Sequence, residues 1–146
     1  MVAGLVAGTL DGLAAALLYV IKSGKDPLNV YRFIASGVFG KDAFAGGVPM
    51  ALWGIFFHYV IATGWALLFF ATYPRLAILG SKKVISGIGY GLFVWLMMNL
   101  VVVPLSNVQS GPMTINGVIT GILVLMLCIG LPISFLAGKF YNKTSR

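Results

Sequence analysis

Three polar side chains stand inside long apolar runs of this sequence. They are Asp11 in GLVAGTLDGLAAALLYV, His58 in ALWGIFFHYVIATGWALLFF and Asn99 in GYGLFVWLMMNLVVVPLSN. A carboxylate and an imidazole are side chains that can take and release a proton, and an amide can orient a ligand by hydrogen bonding. A charged aspartate at the centre of a membrane helix costs about 2.5–3.5 kcal/mol on insertion scales, so it must face protein or water and find a partner. Two readings of Asp11 follow. In one, Asp11 and His58 form a protonatable pair on a proton- or ion-coupled pathway. In the other, Asp11 is neutral or bonded to Thr9, Asn99 or a backbone carbonyl, and serves to hold helices together. His58 likewise reads either as half of that pair or as a buried neutral ring.

Other chemistry finds little support. His58 is the only histidine and Cys128 the only cysteine. No His/Cys/Glu cluster offers a zinc site, and haem on His58 alone has no second feature behind it. No metal or other cofactor is expected. SGVFGKD lacks the GxxxxGK[ST] spacing of a phosphate loop and follows no strand. Ser36, placed in a loop, and Ser86, near the opposite face of the membrane, form no triad with His58 and an aspartate. No catalytic residue is assigned.

The elements that must position these residues are membrane helices. The chain has 146 residues, of which 60% are hydrophobic and 9% charged, with a mean hydropathy of +1.00. Such a sequence cannot cover a soluble surface with charge. Four apolar runs are each long enough to cross about 30 Å of hydrocarbon at about 1.5 Å per residue. They are Val2–Ile21, Val48–Phe70, Val84–Val103 and Thr114–Ala137. The first lacks a basic leader segment and reads as a retained helix rather than a signal peptide. The expected fold is all-α: one polytopic domain over residues 1–146, with four transmembrane helices. In the first connection, KDPLNVYRFIASG carries Asp26 as N-cap, Pro27 at the first helical position and Gly37 as C-terminal stop. Val30, Phe33 and Ile34 share a side, which predicts a short interfacial or re-entrant helix. The VFGKDAFAGG that follows reads as irregular.

The faces sort by size. In the first span Val2, Val6, Leu10, Leu13, Leu17 and Val20 fall on one side; Gly4, Ala7, Gly8, Asp11, Gly12 and Ala15 fall on the other. Gly4, Gly8 and Gly12 make a doubled GxxxG ridge, which lets a neighbouring backbone approach closely. GxxxG recurs as Gly87–Gly91 and Gly117–Gly121. In the second span Ala51, Gly54, His58, Ala62 and Trp65 share a face, opposite Phe56, Val60 and Leu67. Gly87, Gly91, Trp95 and Asn99 form a ridge of the third, with Asn99 about 7 Å beyond mid-span by helical rise. Pro132 in CIGLPIS removes the bond to the Cys128 carbonyl and predicts a bend. Trp53, Tyr19, Tyr73 and Tyr141 read as interfacial anchors.

The formal charge of +7 sits in short connections and the tail rather than in a basic stripe, so nucleic acid is not an expected partner. The bilayer is one. A homo-oligomer is also considered, because four helices enclose little lumen.

IASGVFGKDAFAGG, the span containing FHY and GYGLFVWLMMNLVVVPLSN together resemble a group of small bacterial four-helix inner-membrane proteins, loosely YagU-like, over nearly the whole chain. The resemblance implies a bacterial inner-membrane protein and carries over no catalytic residue. Three functions fit the sequence: a channel- or transporter-like protein using Asp11, His58 and Asn99; a non-catalytic packing module docking through its glycine ridges; and a membrane enzyme or small-ligand binder with its site under the first connection.

Basic residues predict the topology. Arg75, Lys82, Lys83, Lys139, Lys143 and Arg146 fall on one side, against Lys22, Lys25, Arg32 and Lys41 on the other. The excess places both termini in the cytoplasm. Single cysteines in place of Lys41 and Ser81 check this with a membrane-impermeant thiol reagent added outside. Lys41→Cys should label and Ser81→Cys should not; the reverse pattern inverts the topology.

Overall fold

The computed structural model describes residues 1–75, 82–109 and 111–144, with side chains through Tyr141. Residues 76–81 of the second connection, including Ser81, and the side chains of Lys143 and Arg146 lie outside the description. The described residues form helices joined by short connections, without a strand among them. Among them four helices are long and apolar enough to span a membrane: Val2–Ser23, Gly47–Arg75, Lys83–Leu105 and Ile115–Tyr141. The chain is a small multi-pass integral membrane protein.

The first span is α1 (Val2–Ser23), closed by Gly24 in the left-handed region at φ 64°, whose N–H bonds to Val20 O. A side chain there would be strained, which is why glycine suits the stop. Helix α2 (Leu28–Phe39) follows. Asp26 caps it through Oδ1, which accepts from Leu28 N at 3.0 Å. Arg32 pairs with Asp26 at 3.1 Å and donates to Asn29 Oδ1 and Gly47 O, clipping α2 to the start of the second span.

The expected stop at Gly37 is corrected: the helix runs on to Phe39 and closes at Gly40, φ 63°. Gly37 instead lies within its last turn, whose carbonyls have no partner inside the helix. Asn107 of the third connection supplies one, donating its N–H to Gly37 O (3.0 Å) and its amide to Val38 O (3.3 Å). Ser36 is therefore helical and buried, not in a loop. The stretch expected to be irregular also holds one helical turn, α3 (Asp42–Ala45).

The second span is α4 (Gly47–Thr72), ending in a 3-10 turn over Tyr73–Arg75. The third is α5 (Lys83–Met97), a π turn over Met98–Val102, and α6 (Val103–Leu105). The fourth is α7 (Ile115–Leu125), a π turn over Met126–Gly130, and α8 (Leu131–Thr144). Each π turn lies just before a proline, Pro104 or Pro132. A proline ring clashes with the carbonyl four residues earlier, and a wider turn relieves that clash. The expected disturbance at Pro132 thus takes the form of a π turn.

Glycine sets how closely these helices approach. A Cβ built on Gly4 would lie 2.6 Å from Thr63 Cα, and one on Gly8 3.0 Å from Ala62 Cβ, so the α1 ridge packs on α4. A Cβ on Gly54 would lie 1.8 Å from Tyr31 O, where α2 crosses α4. The third and fourth spans meet through Gly87, Gly91 and Gly130; a Cβ on Gly130 would sit 2.0 Å from Gly87 O. Gly117 is a correction. A Cβ there would meet only its own cap, Thr114 Oγ1, and on Gly121 it would meet the Trp95 indole rather than a backbone. The bulky α1 residues Val2, Val6, Leu10, Leu13, Leu17 and Val20 are exposed, as are Phe56, Val60 and Leu67 of α4.

A core built from Ala3, Ala7, Ala66, Phe69, Tyr73, Val94, Ile129, Ile133 and Ala137 fills the end of the bundle that carries the N-terminus. Tyr73, expected as an interfacial anchor, is buried there and stacks on Tyr141 with ring centroids 5.0 Å apart. Tyr141 donates to Phe70 O, tying the fourth span to the second.

The glycine contacts make a contrast within one helix. Gly54→Ala forces a methyl into the α2 backbone and should cost about 1–3 kcal/mol, as overpacking does. Gly64→Ala meets nothing within 4 Å and should be neutral. Thermal unfolding in detergent should show a clear loss of Tm for the first alone; equal Tm values would refute the α2–α4 crossing.

Candidate functional site

At the opposite end the four spans draw apart around a cavity of about 600 Å³. One face of α1 lines it with Asp11, Ala15, Leu18 and Lys22, at helical steps of three and four. His58, Ile61, Ala62 and Trp65 come from α4; Trp95, Met98, Asn99 and Val103 from the third span; Thr114, Gly117, Thr120, Gly121 and Val124 from the fourth. Helix α2 covers one side with Phe33 and Ile34, the face expected to be apolar. Pro112, Met113 and Lys22 stand at the mouth, and Lys22 Nζ donates to Thr120 Oγ1 at 3.3 Å. Val94 and Ile129 form part of the floor, 1% and 3% exposed, and both belong to the filled core.

All three polar candidates therefore border one space. Two of them are close: His58 Nε2 lies 4.0 Å from Asp11 Oδ2. That is ion-pair distance and too long for a hydrogen bond. The same Nε2 lies 2.7 Å from Gly8 O. A carbonyl only accepts, so Nε2 must carry the hydrogen and give it to Gly8. In the neutral ring Nδ1 is then the acceptor. Among the described residues nothing donates a hydrogen bond to the Asp11 carboxylate.

The partners considered for a structural Asp11 are otherwise engaged. Thr9 Oγ1 donates to Leu5 O and pairs with Tyr59 Oη at 2.9 Å. Asn99 Nδ2 donates to Trp95 O at 2.9 Å, inside the π turn region of the third span. Asn99 shares the cavity with Asp11 but does not bond to it.

Sequence reasoning missed two contributors. Lys22 counted only toward topology, yet it lines the mouth. Tyr31 was not singled out, yet its Oη and His58 Nε2 would each lie 3.1 Å from a Cβ on Gly12. Gly12 thus makes room for both rings. The signal was a second side of α2, Tyr31 with Ile34 and Ala35, next to the Val30–Phe33–Ile34 side whose Phe33 and Ile34 line the cavity. No cluster of three or more His, Cys, Asp or Glu occurs among the described residues.

The class of protein these features define is a multi-pass helical membrane protein with a cavity between its spans. Comparison with protein-family models, curated proteins and solved structures finds no match.

Whether water fills the cavity is directly testable. With Cys128 replaced by serine, Ala15→Cys faces the cavity and Leu13→Cys faces lipid, 63% exposed on the outer side of the same helix. A hydrophilic thiol reagent reacts with thiolate in water and not in hydrocarbon. Ala15→Cys should label and Leu13→Cys should not; an unreactive Ala15→Cys would mark the cavity as dry.

Proposed function

We propose that this chain is a small proton-coupled transporter-like protein: the cavity takes a solute, and Asp11 with His58 takes and releases the proton. The observation that carries this reading is a cavity of about 600 Å³ with an unsatisfied carboxylate and the only histidine side by side on its wall. A carboxylate removed from water without donors is costly unless a proton or a cation neutralises it. Asp11 is thus placed to exchange one for the other as the site is wetted or closed.

The filled core beyond Val94 and Ile129 argues for gated passage rather than a standing channel. The π turn Met126–Gly130 carries Ile129 of that floor, and π turns are frequent at functional sites. Residues of all four spans of one chain line the cavity. The glycine ridges of α1 and α5 are used within the chain, which weakens the reading as a module docking through them. A small-ligand binder without transport remains the second reading, favoured by α2 lying over the cavity as a lid from the first connection.

The resemblance to YagU-like proteins supports a bacterial inner membrane as the location. With both termini cytoplasmic, as the basic residues favour, the cavity mouth opens to the outside.

Reconstitution into vesicles with an entrapped pH-sensitive dye tests the reading. A panel of small solutes added outside should include some that drive proton movement with the parent protein. Asp11→Asn should abolish that movement while keeping a monodisperse, folded protein. Solute-independent proton signals equal to empty vesicles for the parent, or an Asp11→Asn variant indistinguishable from it, would sink the proposal.

A further inference from the structure

We propose that the solute is a hydrophobic organic cation, whose charge sits at Asp11 and which leaves when Asp11 takes a proton. This rests on the reading that the cavity is a solute site, and it names the class of solute.

The sequence has three acidic residues. Asp26 is paired with Arg32 at 3.1 Å, and Asp42 is exposed on α3. Asp11 alone lines the cavity, with a side chain 17% exposed and no described donor on its oxygens. The nearest positive candidate, His58, spends its Nε2 hydrogen on Gly8 O. A neutral ligand can donate a hydrogen bond to the carboxylate but leaves its charge uncompensated. An anion would have its charge at Lys22, eleven residues along α1, roughly 16 Å away by helical rise. Its apolar body would then lie against Asp11. A cation satisfies the site where the others do not.

An organic cation fits better than an inorganic one. Sodium and divalent ions replace their water with several oxygen ligands. Here, among the described residues, Asp11 is the one carboxylate on the cavity wall and no cluster of acidic or imidazole ligands stands with it. An organic ammonium or phosphonium needs one counter-charge and an apolar, polarisable wall. Trp65, Trp95 and Met98 supply that wall, and indole is the best aromatic partner for cations. Lys22 is tied to Thr120 Oγ1 at 3.3 Å and stands roughly 16 Å from Asp11 by helical rise, so the two charges do not meet at the binding position.

Proton and cation compete for the same oxygens, so binding weakens as pH falls. The titratable groups that face Asp11 are His58 from α4, Tyr31 from α2 and Cys128 from the fourth span. Tyr59 of α4 faces Thr9 instead. The third span contributes the neutral Asn99.

The test uses the full chain in lipid nanodiscs, with protein-free nanodiscs as blank. Two probes share a shape and differ in charge: tetraphenylphosphonium and tetraphenylborate. Calorimetry in weak buffer should show saturable binding of the phosphonium, release of a proton on binding, and weakening as pH is lowered. An excess of 2-phenylethylammonium should displace it. These readouts need no variant. Asp11→Glu should retain binding, and Asp11→Asn should lose about 10- to 100-fold, as loss of a charge-assisted contact does.

Saturable binding of tetraphenylborate in preference, or phosphonium binding indifferent to pH and to Asp11→Asn, would overturn the proposal. If phosphonium fails to bind while another solute drives Asp11-dependent proton flux, the cation assignment falls and the transporter reading stands. If phosphonium binds as expected and nothing crosses the vesicle membrane, the cation site stands and the transporter reading falls.

Discussion

The hydrogen bond from His58 Nε2 to the carbonyl of Gly8, 2.7 Å long, joins the first two spans near the middle of both. It exists because Gly8 has no side chain. A Cβ there would lie 3.0 Å from Ala62 and 3.1 Å from the Tyr59 ring, and α4 would be held away. Gly12, one turn on, makes the space in which the His58 ring and the Tyr31 hydroxyl sit. The same bond decides the chemistry. It commits the Nε2 hydrogen to a carbonyl, and among the described residues Asp11, 4.0 Å away, has this neighbour but no hydrogen-bond donor. A polar group in hydrocarbon without a donor is destabilising. The open space beside Asp11 is therefore the feature in which that cost can be relieved, by water, a proton or a cation.

The bundle divides along its length. Toward the N-terminal end, alanines on α1 and α4 meet Phe69, Ile133 and Val94 in a filled core. Aromatic contacts seal it: Phe69 packs on Tyr90 with centroids 4.7 Å apart, and Tyr90 Oη donates to Trp65 O. Toward the other end the spans surround the cavity, and the third connection is fastened to the α2 C-terminus by Asn107. The short helix α2 packs chiefly on the second span and lines the cavity with Phe33 and Ile34. Gly54 permits the contact, and the loop amide of Asn107 meets carbonyls that the helix end leaves free.

Both π turns fall where this division occurs. Met98–Val102 contains Asn99 at the cavity wall, and Met126–Gly130 contains Ile129 at its floor. Each lets a helix carry a proline without breaking, and each has one side on the cavity, Met98 and Asn99 in the first and Ile129 in the second.

The sequence by itself determined the four spans to within a few residues, their lipid-facing sides and the small-residue faces of α1, α4 and α5. These are local quantities. Apolar length must match the bilayer, and residue size repeats with the helical period, so both can be read along one strand of text. Asp11, His58 and Asn99 were legible as candidates for the same reason, since a polar residue at membrane depth contrasts with its neighbours. The tertiary structure decided what a one-dimensional period cannot carry. Which carbonyl receives the His58 hydrogen depends on the spacing of two helices. Gly117 shares the GxxxG pattern of Gly8 yet borders open space, because the fourth span meets its neighbour through Gly130 in a π turn instead. Lys22 and Tyr31 join the site only once α1 and α2 are folded against the bundle. The cavity itself has no sequence signature: it is lined by residues of all four spans and of α2, far apart in the chain.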